Sequence, residues 1–560
     1  MTSAALYLHP DAFDTTGQRL MGRQSAGESF LRGLIRHGKT EHLFAYNAAN
    51  RPIAELRAMI ERIEPAAKPV KWIGMRGVQD LATPGLLHCP SPELPRLAWM
   101  RQPFGDDRYS LCGITHTTAS PGAMDIIADM ATTPVQPWDG LICTSRAVRA
   151  SVDLQMEAGR DYLVSRLGAT KVPAPQLTTI PLGINAADFE PFAEDRANWR
   201  LKLDIPSDAI VALYVGRFNA AAKMNPAMMA IALEAAAAKT GRAIYWVVSG
   251  WGGSDGATEH YHREVQALCP SIHYRAVDGR PLDTRFSIWS VADFFISFSD
   301  NIQETFGLTP VEAMAAGLPC VVTDWDGYRD TVRHGLDGFR IRTFAPRPGL
   351  GGDLAYGHAN NWLSYELYIG AAAQMTAMDN LSAVEAIVSL IENPDLRARM
   401  SASARNAARQ IFDWSVIVPQ YETFWAELNE RRIAAAPAAG QRPSTNPRRL
   451  DPFTLFADYP TEILDGRTTL ALSPGMTADA AKKILGSPYG ALARSMLLAD
   501  AHCEAIIKFV AARDQATVAE LIANWPVGHR SFAERGLLWL VKFDVLRILP
   551  PAEGFKVIEA

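Results

Sequence analysis

Basic residues are not in excess in this chain: 55 Lys and Arg stand against 60 Asp and Glu, a formal net charge of −5 over 560 residues. That balance argues against a large nucleic-acid surface and gives no general pull toward anionic membranes. Cysteine is scarce. The six (Cys89, Cys112, Cys143, Cys269, Cys320 and Cys503) form no CxxC pair, and most sit in apolar runs such as Leu141-Ile142-Cys143. They are expected to be buried free thiols in a reducing compartment, not a disulfide framework. No window approaches about 18 uninterrupted apolar residues, so a spanning helix is not expected. The opening MTSAALYLHPD lacks a basic region and a long apolar stretch, so no signal peptide is expected. The chain also lacks a GxGxxG fingerprint after its first strand-like run, a GxxxxGK[ST] loop, HExxH and any zinc-type Cys/His spacing. These absences count against a dinucleotide oxidoreductase, a P-loop enzyme and a zinc site.

What is present is ordinary globular material, 48% hydrophobic and 21% charged, enough for several cores. From Ala4 to about Ile184 short apolar runs alternate with helical patterns: Ala4–Leu8, Val70–Gly74, Leu86–Cys89, Tyr109–Ile114 and Gly140–Cys143 are strand candidates, and Glu28–Arg36 has helical spacing. The alternation restarts after Pro181-Leu182-Gly183-Ile184-Asn185. Ile210–Val215, Ile244–Ser249, Phe294–Ser297 and Cys320–Thr323 are strands, with helices at Pro226–Ala238 and Val311–Ala316. Such alternation predicts parallel sheets covered by helices on both faces. The expected division is 1–184, 185–412 with a long Gly/Pro- and aromatic-containing excursion at 345–379, a closing helix at 413–433, and an Ala/Pro-rich linker at 434–449. A small, mainly helical unit follows at 450–560. There Val518–Ala523, Phe532–Leu538 and Trp539–Leu549 suggest two helices and a short strand, a winged-helix-like pattern.

Four stretches carry candidate chemistry. Glu304-Thr-Phe-Gly-Leu-Thr-Pro-Val-Glu312 follows a strand and opens a helix. Gly307 permits close backbone approach, and a helix N-terminus with free N–H groups suits an anion such as a diphosphate. The flanking carboxylates can accept from sugar or ribose hydroxyls. A purely structural alternative stands beside this: Thr309-Pro310-Val311-Glu312 fits a capping box with Thr309 as N-cap. Gly216-Arg217 closes a buried strand and Lys223 precedes a helix; at strand carboxyl ends both cations would face a crevice. His116, after an apolar strand, either faces the same crevice or is a satisfied core histidine. Met21-Gly22-Arg23-Gln24-Ser25-Ala26-Gly27 has small residues able to cradle phosphate.

With these residues the chain resembles the retaining family-4 glycosyltransferases of the GT-B fold, the group 1 glycosyl transferases of bacteria. The likeness rests on the Glu304–Glu312 spacing around Phe-Gly-Leu, on Gly216-Arg217 with Lys223, on Ile180-Pro-Leu-Gly-Ile-Asn185 followed by Asp188-Phe189, and on Trp138–Ser145. It covers about residues 1–430. The resemblance implies an α/β GT-B architecture of two Rossmann-like domains facing across a cleft, the first holding acceptor and the second donor. It also implies a hexosyltransferase that needs no metal or cofactor and uses a UDP- or GDP-sugar as co-substrate. Arg217 and Lys223 would bind the donor diphosphate, Glu304 the transferred sugar, and the Phe306, Gly307 and Leu308 amides phosphate or sugar oxygens. Glu312 would accept from the ribose, His116 would lie beside the sugar, and Gly22 to Gly27 would lie under the phosphates with Gly216 nearby. Expected partners are a nucleotide sugar and a glycan, lipid-linked or other hydroxyl acceptor, not nucleic acid. The expected location is cytoplasmic, with peripheral contact at the inner membrane face left open, as are a protein partner or dimer through 450–560. Polysaccharide or glycolipid synthesis is the family's commonest business. An epimerase or phosphorylase on the same scaffold, or a non-catalytic nucleotide-sugar binder, remains the alternative. The sequence departs from the family pattern at Asp326-Gly327-Tyr328-Arg329-Asp330, where two glycines and a glutamate are usual.

Overall fold

The computed structural model describes residues 3–16, 22–435 and 446–550. Met1–Arg442 form one compact unit and Pro443–Ala560 another.

The first unit contains two parallel sheets. The earlier one has seven strands: β1 (Ala5–Leu8), β2 (Leu43–Asn47), β3 (Val70–Ile73), β4 (Leu86–His88), β5 (Ser110–Ile114), β6 (Gly140–Cys143) and β7 (Gln176–Thr179). Their order is β3-β2-β1-β4-β5-β6-β7. The later one has six: β8 (Ile210–Val215), β9 (Ile244–Gly250), β10 (His273–Asp278), β11 (Phe294–Ser297), β12 (Cys320–Thr323) and β13 (Gly338–Ile341). Their order is β10-β9-β8-β11-β12-β13. Every pairing registered in both sheets is parallel. Central strands are covered by helices on both faces, which is why β6, β9, β11 and β12 are buried throughout and carry continuous apolar runs. Strands β7, β10 and β13 lie at sheet edges, are partly exposed and mix polar with apolar residues. Periodicity did not single them out, and it also missed the central β2.

Both sheets reverse strand order at one point, beside β1 in the earlier sheet and beside β8 in the later. The crevice outside such a reversal is where open α/β sheets bind ligands. Two crossings join the halves. Ile184 N–H donates to the Phe412 carbonyl at 2.9 Å, and Trp414 N–H donates back to the Ile184 carbonyl at 3.0 Å. The Trp414 ring is fully buried where Gly33 and Gly183 leave room: a Cβ at either would fall 2.3 and 2.6 Å from it. The following helix, Trp414–Ala434, returns to the earlier half. There Phe424 and Leu428 occupy the space beside Gly140, and Ser110 Oγ donates to the Leu428 carbonyl.

The excursion is pinned at its base by a two-residue antiparallel ladder, β14 (Thr343–Phe344) with β15 (Ala377–Met378). It carries the helices Gly352–Ala359 and Tyr365–Gln374. Its buried Ile369 packs in one cluster with Ala119 of the earlier half and Ala222 of the later.

The second unit holds a three-stranded antiparallel sheet, β16 (Thr469–Leu472), β17 (Gln515–Thr517) and β18 (Leu546–Ile548), in the order β17-β16-β18. The helices Ala478–Leu485, Asp500–Ala511, Val518–Ile522 and Arg530–Lys542 pack with it in its own apolar core. Trp539 does not open a strand as expected. It continues the Arg530–Lys542 helix with its indole in the core, and only Leu546–Ile548 is extended. A capping box is present here, at Thr517 and Glu520.

Candidate active site

At the reversal point of the later sheet, β8 ends in Gly216-Arg217 and β11 leads into the loop 298–307. Gly216 N–H donates to the Ser249 carbonyl at 3.0 Å, fixing where the chain leaves the sheet. The Arg217 side chain is partly buried and makes no hydrogen bond or ion pair among the described residues. The next turn is held by Asn219, whose Oδ1 accepts the amides of Ala221 and Ala222. Asn301 Nδ2 then donates to the Ala221 carbonyl at 2.6 Å, locking the two loops together. The result is a 2.5 Å contact between Lys223 Nζ and Glu304 Oε2. Burial works to raise the Glu304 carboxyl, but the Lys223 charge and the Thr305 and Phe306 amides outweigh it and hold the group below its ordinary value. Burial would likewise lower Lys223, and Glu304 reverses that. Both are therefore charged at neutral pH.

The helix Leu308–Ala315 begins after Gly307, which sits at φ 88° as N-cap. A Cβ there would lie 2.2 Å from the Tyr328 ring, so the glycine serves both the left-handed backbone and the packing. This overturns the capping-box alternative. Thr309 is already inside the first turn, no side chain caps the helix, and Glu312 lies one residue beyond that turn. The Phe306 amide faces the Glu304 carboxylate, which leaves the Gly307 and Leu308 amides at the positive end of the helix. Glu312 projects into a small cleft with Arg285 of its own half and Ser25, Ser29 and Arg32 of the earlier half. Burial raises its pKa against the pull of Arg285 and Lys223. Arg32 bridges Glu28 at 3.0 Å and Asp188 at 2.9 Å, tying the two halves on this side.

The earlier half contributes His116, just beyond β5. Its carbonyl accepts from Thr305 Oγ1 at 3.3 Å, and Thr144 Oγ1 donates to the Thr305 carbonyl at 3.3 Å. Burial, then the Arg23 charge, depress His116 to about 4, so its ring is neutral at pH 7. Across the same gap Ser145 Oγ meets Asp326 Oδ1 at 3.3 Å, and Arg146 meets Asp330 at 2.6 Å.

The glycine stretch differs from its expectation. Gly22–His37 is one helix, and Met21 lies outside the described residues. Gly22 is in the first turn, with nothing among the described residues within 4 Å of an added Cβ. A Cβ on Gly27 would fall 2.0 Å from the Ala12 carbonyl oxygen, so this glycine admits the close approach of the Ala12 backbone. Sequence reasoning also passed over Asp300, Arg285 and the cleft-facing role of Asp326. Only Asp326 left a trace, as a departure from a glycine pair.

Residues 195–346 match the family model described as Glycosyl transferases group 1. The chain carries a group 1 glycosyltransferase domain. Arg217, Lys223, Glu304 and Glu312 all lie within that stretch, whereas His116, Gly22 and Gly27 lie before it. Over 263 residues, 46% of the chain, it is 26% identical to a D-inositol 3-phosphate glycosyltransferase of Thermobispora bispora. Over 136 residues, 24% of the chain, it is 32% identical to a phosphatidyl-myo-inositol mannosyltransferase of Mycobacterium leprae. The chain spans 52% of the former and 27% of the latter. Among solved structures, Anabaena HepE in complex with UDP superposes with a TM-score of 0.49 at 15% identity, over 76% of this chain and 100% of that one. With two Rossmann-like parallel sheets in one unit, joined at a two-strand crossing and touching across a crevice, the group 1 domain forms the later half of a GT-B fold. Among the described residues no helix is long and apolar enough to cross a membrane.

Proposed function

We propose that the chain is a retaining glycosyltransferase that moves a hexose from a nucleotide-diphosphate sugar to a hydroxyl acceptor. The reading rests above all on one observation: Lys223, Glu304 and a helix N-terminus converge beside Arg217, at the strand reversal of the later sheet.

Breaking the bond from the anomeric carbon to phosphate leaves positive character on the sugar and adds negative charge to the departing diphosphate. Arg217 supplies a cation that no described residue pairs with, and Lys223 a second one. The Gly307 and Leu308 amides add the positive end of a helix. Preorganised charges of this kind act where the new charge develops, with little reorganisation. Glu304, held ionised, accepts from sugar hydroxyls, and Glu312 is placed to accept from a ribose in the cleft it shares with the earlier half. His116 is neutral, so it can hydrogen-bond the sugar without adding a cation against the developing oxocarbenium. The acceptor would enter on the face the diphosphate leaves, with a diphosphate oxygen taking its proton, and configuration would be retained.

The test is product analysis. The full chain is incubated with UDP- and GDP-hexoses, with and without simple glycoside acceptors, and the anomeric linkage of any product is read by NMR. Transfer with retained configuration supports the reading. An acceptor-independent change in the donor sugar points to an epimerase, and release of sugar 1-phosphate with added phosphate points to a phosphorylase.

A further inference from the structure

Apart from the small cleft that holds Glu312, the two halves enclose a groove of about 500 Å³. Its walls come from three places: Ser151 and Gln155 of the earlier half, Trp325 of the later half, and Tyr368 of the excursion. The lining mixes these hydroxyl, amide and aromatic groups with apolar Met124, Val148 and Ile302 and with charged Asp324 and Arg329, so it offers a small polyhydroxylated ligand both hydrogen-bond partners for its edges and apolar surface for its faces.

Asp326 forms part of this wall and lies close enough to Glu304 to feel its charge. Its backbone is left-handed, φ 43°, a conformation that costs a residue with a Cβ free energy and concentrates at functional sites. Its carboxyl is met by Ser145 Oγ, at a long 3.3 Å, and by the Gly327 amide. Burial, followed by the Glu304 and Asp330 charges, raises the carboxyl to about 8, so at pH 7 it is a neutral group able both to donate and to accept. A strained, half-buried acid with thin internal support is poor structural material; glycine would satisfy the same backbone at lower cost.

We infer that Asp326 is the acceptor-contact residue, its carboxyl holding the attacking hydroxyl of a sugar-like polyol seated in this groove. The inference rests on the glycosyl-transfer reading and adds the acceptor's chemical class and the residue that selects it. The excursion closes the same groove through Tyr368. That ring stacks on His358 at 4.1 Å and 11°, so the length of the 345–379 segment helps set how large an acceptor fits.

The test uses the full chain and its Asp326→Gly and Asp326→Asn variants. Melting temperature, UDP and GDP binding by calorimetry, and saturation-transfer NMR with methyl α-D-glucopyranoside, myo-inositol and glycerol are measured on each. Asp326→Gly should melt at or above the wild-type temperature, because the left-handed position suits glycine. It should keep its nucleoside diphosphate affinity and lose about fivefold or more of the polyol signal, the equivalent of one hydrogen bond. Asp326→Asn should retain part of that signal. A lowered melting temperature with the polyol signal unchanged would give Asp326 a structural role and overturn the inference. So would a wild type that binds nucleoside diphosphate but gives no polyol signal. A wild type that binds neither UDP nor GDP sinks the transfer reading instead, whatever the polyols do.

Discussion

Lys223 Nζ lies 2.5 Å from Glu304 Oε2, so in the absence of donor the cation proposed for the diphosphate and the carboxylate proposed for the sugar neutralise each other. The pair solves the problem of holding two charges in a partly dry crevice before substrate arrives: each compensates the other's desolvation. Donor binding must then draw Lys223 toward phosphate while sugar hydroxyls take over part of its work at Glu304.

The pairing has a signature in stability. Lys223→Met leaves a mostly buried carboxylate without its main partner and should destabilise the chain by about 1–3 kcal/mol. Glu304→Gln should do the same to the lysine. The double variant should be less destabilised than the sum of the two, with a coupling of about 0.5–3 kcal/mol, while remaining inactive. Urea unfolding of the four proteins closes the cycle.

Arg217 should behave differently, because no described residue pairs with it. Arg217→Ala is expected to change stability by no more than about 0.5 kcal/mol, the range of substitutions away from structural features. Its transfer rate should still fall by about 10²–10³, the usual loss when one preorganised charge contact is removed. Thermal melts and initial rates on the same preparation separate the two effects.

Two glycines in one helix should part company. Gly27→Ala drives a Cβ to within 2.0 Å of the Ala12 carbonyl oxygen and should cost about 1–3 kcal/mol. Gly22→Ala meets nothing among the described residues within 4 Å and should alter stability by less than about 0.5 kcal/mol. If Gly22 lies under the phosphates, its variant should instead raise the donor KM. Melting temperatures and donor titrations read both.

Acid–base linkage offers a further check at Asp300. This residue is almost fully buried beside the Lys223 loop, and burial, opposed by the Asn225 amide, raises it to about 7. The folded state then binds a proton that the unfolded chain releases near its ordinary value of 3.8. The unfolded state binds fewer protons between those limits, so stability must fall as pH rises from about 4 to about 7. Asp300→Asn should flatten this part of the stability profile, measured by denaturant unfolding at fixed temperature.

These sites differ in how visibly they are written in the chain. The central strands β6, β8, β11 and β12 were legible because burial on both faces demands an unbroken apolar run. The edge strands β7, β10 and β13 were not, since one face and one edge meet water and their residues mix. Arg217, Lys223 and Glu304 could be picked out because chemistry and spacing coincide within one sheet's loops. The packing of Gly27 on the Ala12 carbonyl was not legible, because a glycine that admits a neighbouring carbonyl and one that admits a phosphate are identical in sequence. The capping-box alternative set Glu312 two residues too early in its helix, since Thr-Pro before a helix imitates a cap that Gly307 in fact supplies. Asp326 escaped notice as a candidate because it meets Ser145, almost two hundred residues earlier, only once the two halves are folded against each other.

The central claim is tested most directly by calorimetric titration of UDP and GDP into the full chain in the presence of EDTA, alongside Arg217→Ala and Lys223→Met. One nucleoside diphosphate should bind the wild type without metal, and each variant should weaken it by about tenfold or more, the value of one charge-assisted hydrogen bond. Equal affinity in all three proteins, or no binding of either nucleotide, would contradict a diphosphate site at these residues.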